Sequence, residues 1–429
     1  MTIRDRDGLS RRDYFRAMVA VGGASGLSAC LDAFDDGSGE RPDGTEDQPT
    51  VPSGDPERRP DRQHAWDETL PTDDDGNLVA PEHHVLRPLS LTTSVDADAR
   101  QQVETAFRSL ERAYEYGPDG LLFTVGYSPA YFERVADTGD APVPEPESLT
   151  TMESPEFDTF DAVVHLASNY PQVVLEAEEA LLDRLDAPND TPMDATLAGV
   201  FEPAEPRRTG FIGPGLPAEH TALDGVPDAI PDDAPFFMGF RSGFAESQAP
   251  EDRVTIPDGP FAGGTTMHIS TLDLQLRTWF EQDSHHQRVE KMFSPQHADE
   301  GAVGTVGERL GTETGVAGDI AYSTADNARN QGVVGHAQKA ARARDEDGTP
   351  PLLRRDFNTV DGDRPGVHFV SLQRRIDEFV EVREAMTGAD LAGNGVGQRL
   401  NNGILQYIFV RRRGNFIVPP RADRSLPVV

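Results

Sequence analysis

One order of periodicities occurs twice along this chain, and it restricts the fold more than any other feature. In the first copy, residues 84–93 alternate as a strand does, with Val85, Leu86, Leu89 and Leu91 apolar. Val103, Ala106, Phe107, Leu110 and Tyr114 then recur at helical spacing, which predicts an amphipathic helix over 96–115. Short apolar runs at 121–125 and 161–167 read as buried strands. Pro171 opens a second helix, where its missing N–H costs nothing, with Val173, Val174, Ala177 and Leu181 as the apolar face. A strand at 198–201 closes the copy.

The second copy predicts a strand at 265–272, then a helix with Leu276, Trp279 and Phe280 turned inward. It continues with a strand at 367–372, a helix carrying Ile376, Phe379, Val380 and Met386, and a strand at 405–410. Gly414-Asn415 reads as a hairpin turn into 416–418. The first copy has the order β-α-β-β-α-β and the second repeats much of it, so the fold class is α+β with two stacked ferredoxin-like halves. The halves span 62–203 and 263–420. A long connection, 204–262, separates them, and a second irregular stretch covers 294–365. Loops of that size usually carry function.

The chain begins with what reads as an export address over 1–30. Ser10-Arg11-Arg12-Asp13-Tyr14-Phe15-Arg16 is a twin-arginine pattern, and the weakly apolar run after it is too short to span a bilayer. It ends in Leu27-Ser28-Ala29-Cys30, a lipoprotein-type box holding the only cysteine, which makes Cys30 the expected lipidation site and excludes an intrachain disulfide. Export by the twin-arginine route, an extracytoplasmic location and attachment to the membrane only through that lipid follow as expectations. Residues 31–61 are rich in Asp, Glu, Pro, Gly and Ser and read as a disordered acidic tether.

Charge excludes further classes. The 39 Lys+Arg against 74 Asp+Glu leave a net charge of −35, and only Lys291 and Lys339 are lysines. Such a chain cannot neutralise a run of phosphates, so no nucleic-acid partner is expected. Acid-rich, lysine-poor usage fits a protein working in strong salt, which screens its self-repulsion.

Chemistry concentrates in the two irregular stretches. The second holds Gly335-His336-Ala337-Gln338-Lys339 and then Leu352-Leu353-Arg354-Arg355-Asp356-Phe357; the first holds Phe237-Met238-Gly239-Phe240-Arg241-Ser242-Gly243-Phe244, before Gly263-Gly264-Thr265 enters a strand. In this order, on a doubled ferredoxin-like body, these pieces resemble the dye-decolorizing (DyP-type) haem peroxidases of the dimeric α+β barrel superfamily. Leu122-Phe123-Thr124-Val125-Gly126-Tyr127, the helix from Trp279 to Gln287 and the Pro171-Gln172-Val173 helix start also fit. The likeness runs over about 62–420.

That resemblance implies haem b as cofactor, hydrogen peroxide and an electron donor of unknown identity as partners, and oxidation of the donor through a ferryl haem. A homo-oligomer is compatible with it. By resemblance, His336 is the proximal ligand of the haem iron and Arg354 the distal arginine, whose fixed positive fork stabilises an anionic oxygen. Arg241 and Gly243 fall beside the haem, Arg241 as a partner for a propionate. The family's Gly-x-x-Asp-Gly motif reads Gly239-Phe240-Arg241-Ser242-Gly243 here, so Ser242 stands where a proton-shuttling aspartate is expected. A serine cannot hold a proton at a carboxylate's pKa. Three outcomes stay open: the arginine suffices alone, as in the related chlorite dismutases; Asp356 supplies the carboxylate; or the protein is a non-catalytic haem-binding lipoprotein for iron uptake.

Other patterns read as structural. The pairs His83-His84 and His285-His286 read as surface residues without a metal partner. Asp73-Asp74-Asp75-Gly76-Asn77 lacks calcium-loop spacing, and Gly393-Asn394-Gly395-Val396-Gly397 lacks the context of a dinucleotide loop. No Gly-x-Ser-x-Gly nucleophile elbow occurs.

Overall fold

A computed structural model describes residues 51–428 apart from 136–140, 315–322 and 394. The twin-arginine pattern, Cys30, residues 31–50 and Asn394 lie outside the described residues. The first half begins with β1 (His83–Leu91), followed by α1 (Ala97–Ala113). Asp96 caps α1, its Oδ1 accepting the Ala99 N–H at 2.9 Å. Val103, Ala106, Phe107 and Leu110 turn inward, as their spacing requires. Next come β2 (Leu122–Tyr127), α2 (Pro129–Val135), β3 (Glu156–Phe157), β4 (Ala162–Ser168) and α3 (Pro171–Leu181), with Pro171 at the helix start. The half closes with β5 (Phe201–Pro203) and β6 (Arg208–Phe211).

The second half follows α4 (Glu251–Val254) and begins with β7 (Thr265–Leu274). A π-helical turn at Thr278–Gln282 buries Trp279 and Phe280. Then come α5 (His285–Met292), α6 (Pro295–Glu300), α7 (Thr324–Asn330) and α8 (His336–Ala340). Short β8 (Leu353–Arg354) and β9 (Phe357–Thr359) precede β10 (Gly366–Gln373), α9 (Ile376–Thr387) and β11 (Ile408–Val418).

Sheet order shows the repeat. The first half runs β2-β4-β1-β6 and the second β9-β10-β7-β11, the same permutation of second, third, first and fourth strand. The halves join at two seams, Phe211 against Asn358 and Ile417 against Tyr127, which close the antiparallel strands into a barrel. Leu86, Val163, Met267, Ile269, Leu353, Phe357, Val370, Leu372 and Phe416, drawn from strands all round the ring, meet in one apolar cluster that fills the interior. Helices α1 and α3 cover the first half with a second cluster. Among the described residues no helix is long and apolar enough to cross a membrane.

Four local expectations are corrected. The fourth strand of the first half is Arg208–Phe211, not 198–201: it pairs with His83–Leu86, the first four residues of β1, on the edge away from β4, and links β1 to β9, whereas Phe201–Pro203 reaches only Leu89–Leu91 at the strand's end. Pro203 and Pro206 cannot donate to a ladder and break the run between them. The hairpin at Gly414-Asn415 does not form, because both lie within continuous β11. Gly414 is needed for room instead; a Cβ there would stand 2.6 Å from Asp158 Oδ2 and 2.8 Å from the Phe416 ring. The last part of the expected tether, 51–61, packs on the body: Val51 is buried, and Arg59 donates to the Glu111 carbonyl at 2.8 Å and to the Tyr114 carbonyl, at the end of α1.

The fourth correction concerns His83 and His84, which are buried in β1 rather than on the surface. His84 stacks on Phe357 at 4.5 Å, and its Nδ1 lies 3.0 Å from His165 Nε2. His285, by contrast, is exposed. Burial, above all other causes, lowers His64, His84 and His268 to about 3, His83 to about 4, and His165 well below the ordinary value of 6.5. These folded-state values lie below the unfolded one, so stability is fully present above pH 6.5. It falls as the pH drops toward them, each buried ring contributing about 1.4 kcal/mol per pH unit. Most carboxylates titrate below pH 5; Glu251, raised to about 7 by burial, opposes the trend, but it is one group against five buried histidines, so between pH 7 and 5.5 the histidines dominate. The guanidinium midpoint in strong salt should fall clearly over that interval; equal midpoints would contradict their neutral burial.

Candidate functional site

Strand alternation decides which side chains share a face. From β8 into β9, Leu353 and Phe357 point into the barrel, and Arg355 turns with them toward Trp66 (3.9 Å over its ring) and the His64 carbonyl (2.6 Å). Arg354 and Asp356, on the opposite face, line a cavity outside the sheet. Its floor is Leu272, Leu274, Val367 and Phe369 of β7 and β10, and its walls include Met238, Phe240, Phe293 and Met386. It measures about 1420 Å³ with its solvent-facing mouth included.

His336 enters the same cavity from the first turn of α8. Gly335 before it lets the backbone approach closely, since a Cβ there would meet the Phe293 carbonyl at 1.7 Å. Three residues on, Lys339 is fully buried; its Nζ donates to the carbonyls of Met386 (2.5 Å) and Asn402 (3.0 Å) and to Asn402 Oδ1 (2.6 Å). These bonds dock α8 beside α9. Burial, followed by Lys339, Arg354 and Arg383, lowers His336 to about 3, so its imidazole is neutral at pH 7. A neutral ring offers a lone pair to a metal.

On the cavity's polar side, Arg354 Nη1 donates to Ser242 Oγ at 3.1 Å and lies 3.9 Å from Asp356 Oδ2. Asp356 Oδ1 is buried with no hydrogen-bond partner. Burial raises the Asp356 pKa, opposed by Arg354. Arg241 also lines the cavity, its backbone N–H donating to the Val306 carbonyl at 2.7 Å. Gly243 does not line it; with φ of +80° it turns the chain between Ser242 and Phe244.

Sequence reasoning missed Arg344. It lines the cavity, its Nη1 donates to the Gly348 carbonyl at 3.3 Å, and burial lowers its pKa. It lies in an irregular stretch with no periodicity to announce its direction. The charged residues around the cavity are thus Arg241, Arg344, Arg354 and Asp356. In a chain of net charge −35 the cavity is locally cationic, suiting an apolar ligand that bears carboxylates. The Asp73–Asn77 segment instead forms a local turn, Asp73 Oδ1 accepting the N–H of Asp75 (3.0 Å) and of Asn77 (2.9 Å). Among the described residues no group of three or more His, Cys, Asp or Glu could hold a metal ion.

The fold is shared with solved DyP-type peroxidases. The DyP-type peroxidase from Cellulomonas bogoriensis superposes with a TM-score of 0.52 at 17% identity, over 82% of this chain and 95% of that one. The encapsulated DyP-type peroxidase from Mycobacterium smegmatis gives 0.51 at 13% identity over 84% and 99%. A DypB variant from Rhodococcus jostii in complex with heme gives 0.50 at 13% over 84% and 97%. At such identities the likeness is one of fold. No curated protein matches the chain. The family model whose description is "Family of unknown function (DUF7405)" matches residues 81–420, and the chain belongs to that family.

Proposed function

We propose that this protein binds haem b in the cavity and uses hydrogen peroxide to oxidise a reductant. The observation that carries the reading is the convergence of His336 from α8, Arg354 from β8 and Asp356 from the link between β8 and β9 on one apolar cavity with a cationic rim. The residues fit a haem: a neutral imidazole for iron, guanidinium groups for two carboxylates, apolar walls for the ring, and an orphaned buried carboxylate oxygen on the polar side. The sequence has a single cysteine, Cys30, which offers no pair for a thioether-linked porphyrin and favours the b form.

When bound, haem supplies an iron centre that exchanges two electrons with a peroxide. His336 would hold it by its neutral ring, and Arg241 and Arg344 would pair its carboxylates. Arg354 directs its fork at developing negative charge; its bond to Ser242 holds the tip without neutralising it. Asp356, with a raised pKa and a free Oδ1, takes a proton from one peroxide oxygen and returns it to the other. The carboxylate absent at Ser242 is thus supplied two residues beyond the arginine. Apolar side chains on the floor and walls exclude water from the reacting groups.

The same orphaned oxygen favours turnover over simple carriage of haem. The N-terminal pattern supports export by the twin-arginine route with a lipid at Cys30, and the excess of acids supports work in strong salt. The test is one spectrum: protein isolated from its host, or loaded with haem in strong salt, should show a Soret band that shifts within seconds of adding peroxide and recovers with a reductant. A folded protein that takes up no haem rules out the proposal. A Soret band indifferent to peroxide would leave haem carriage as the function.

A further inference from the structure

Gln248 bonds a single backbone unit twice. Its Oε1 accepts the Arg354 N–H at 3.0 Å, and its Nε2 donates to the Arg354 carbonyl at 3.1 Å. Pairing continues one residue on, where the Ala249 N–H donates to the Leu352 carbonyl at 2.9 Å. A primary amide sets a donor beside an acceptor, so Gln248 reproduces the edge of a neighbouring strand along β8, whose strand partner is β10. The tip of the same arginine is held by Ser242, six residues earlier. One short segment, 242–248, thus grips Arg354 at both ends, and Gln248 itself does not line the cavity.

We propose that Gln248 is the positioning residue for Arg354: its paired amide fixes the backbone from which the guanidinium reaches into the cavity, and so sets how strongly that guanidinium holds an anion there. This rests on the haem reading above. An arginine tip follows its backbone, and a displacement of about 1 Å at a reacting group costs on the order of 10²-fold. The bond to Ser242, a single contact at the tip, does not replace a two-point hold on the main chain.

The experiment compares haem-loaded wild type, Gln248→Met, Gln248→Glu and Arg354→Leu. Methionine keeps the length of the side chain without either bond, which protects folding. Glutamate keeps an acceptor for the N–H but sets a second oxygen against the carbonyl, so it tests the pairing rather than the size. Fluoride affinity of the ferric protein, read from its absorption spectrum, reports the arginine without turnover; the second-order rate with peroxide reports it in the reaction. Both Gln248 variants should bind haem as wild type does while losing about 10-fold to 100-fold in fluoride affinity and peroxide rate. Wild-type fluoride affinity in both, with Arg354→Leu impaired, overturns the positioning role and leaves the haem reading intact. Failure of the wild type to take up haem overturns the reading and this proposal together.

Discussion

Replacing His336 by alanine is expected to abolish the Soret band while leaving the fold in place. The imidazole lies on the first turn of α8, and α8 is held by Lys339 rather than by the histidine itself. Removing the ring therefore removes the iron's proposed protein ligand without undocking the helix. A haem left in the apolar walls by contact alone would wash out on a desalting column, and added imidazole should restore the band by refilling the vacated volume. The measurement is the ratio of Soret to protein absorbance in wild type, His336→Ala, and His336→Ala with imidazole. A ratio unchanged in the variant would show that His336 is not the ligand.

The second large effect belongs to Arg354. Arg354→Leu should retain haem but react with peroxide about 10² to 10³ times more slowly, the usual cost of deleting one fixed donor from a site of charge development. Asp356→Asn should slow the same step at every pH and remove its dependence on a single ionisation, because an amide cannot shuttle the proton. The two defects differ in a measurable way: the arginine variant also loses affinity for fluoride, whereas the asparagine variant keeps the guanidinium and its anion. Stopped-flow mixing over pH 4–8 separates them. Wild-type rates in Arg354→Leu would remove it from the reaction.

Much of this molecule is legible in its sequence because burial imposes periodicity. Val103, Ala106, Phe107 and Leu110 announce α1, and the alternation around Val85 announces β1, since one face of each must meet the core. The likeness to DyP-type proteins points to His336, Arg354 and the Ser242 position, with Asp356 as one open alternative beside Arg354, and in the structure all four line one cavity. What stayed hidden depends on contacts between distant segments. Strand Arg208–Phe211 has only four residues, including Thr209 and Gly210, and becomes a strand because β1 offers it an edge. Asn415 mimics a turn residue, yet its side chain is held by His268 at 2.7 Å and the Pro144 carbonyl at 3.0 Å. His84 looks like half of a surface pair until Phe357, far along the chain, covers it. Arg344 and Gln248 sit in irregular stretches where no repeat tells which way a side chain faces.

The two seams of the barrel have a consequence for how the cavity came to be tolerated. At one of them Asn358 does more than pair with Phe211: its Nδ2 donates to the carbonyls of Phe211 (3.1 Å) and Pro235 (2.9 Å), and its Oδ1 accepts the Phe237 N–H at 2.9 Å. A hollow in the outer layer costs packing, and a free-standing C-terminal copy would have to bear that cost while exposing unpaired backbone along β9 and β11. The first copy occupies both borders. Mutual bracing at the seams thus leaves neither copy with a raw edge where they meet, and the open outer layer of the second is borne by the whole ring.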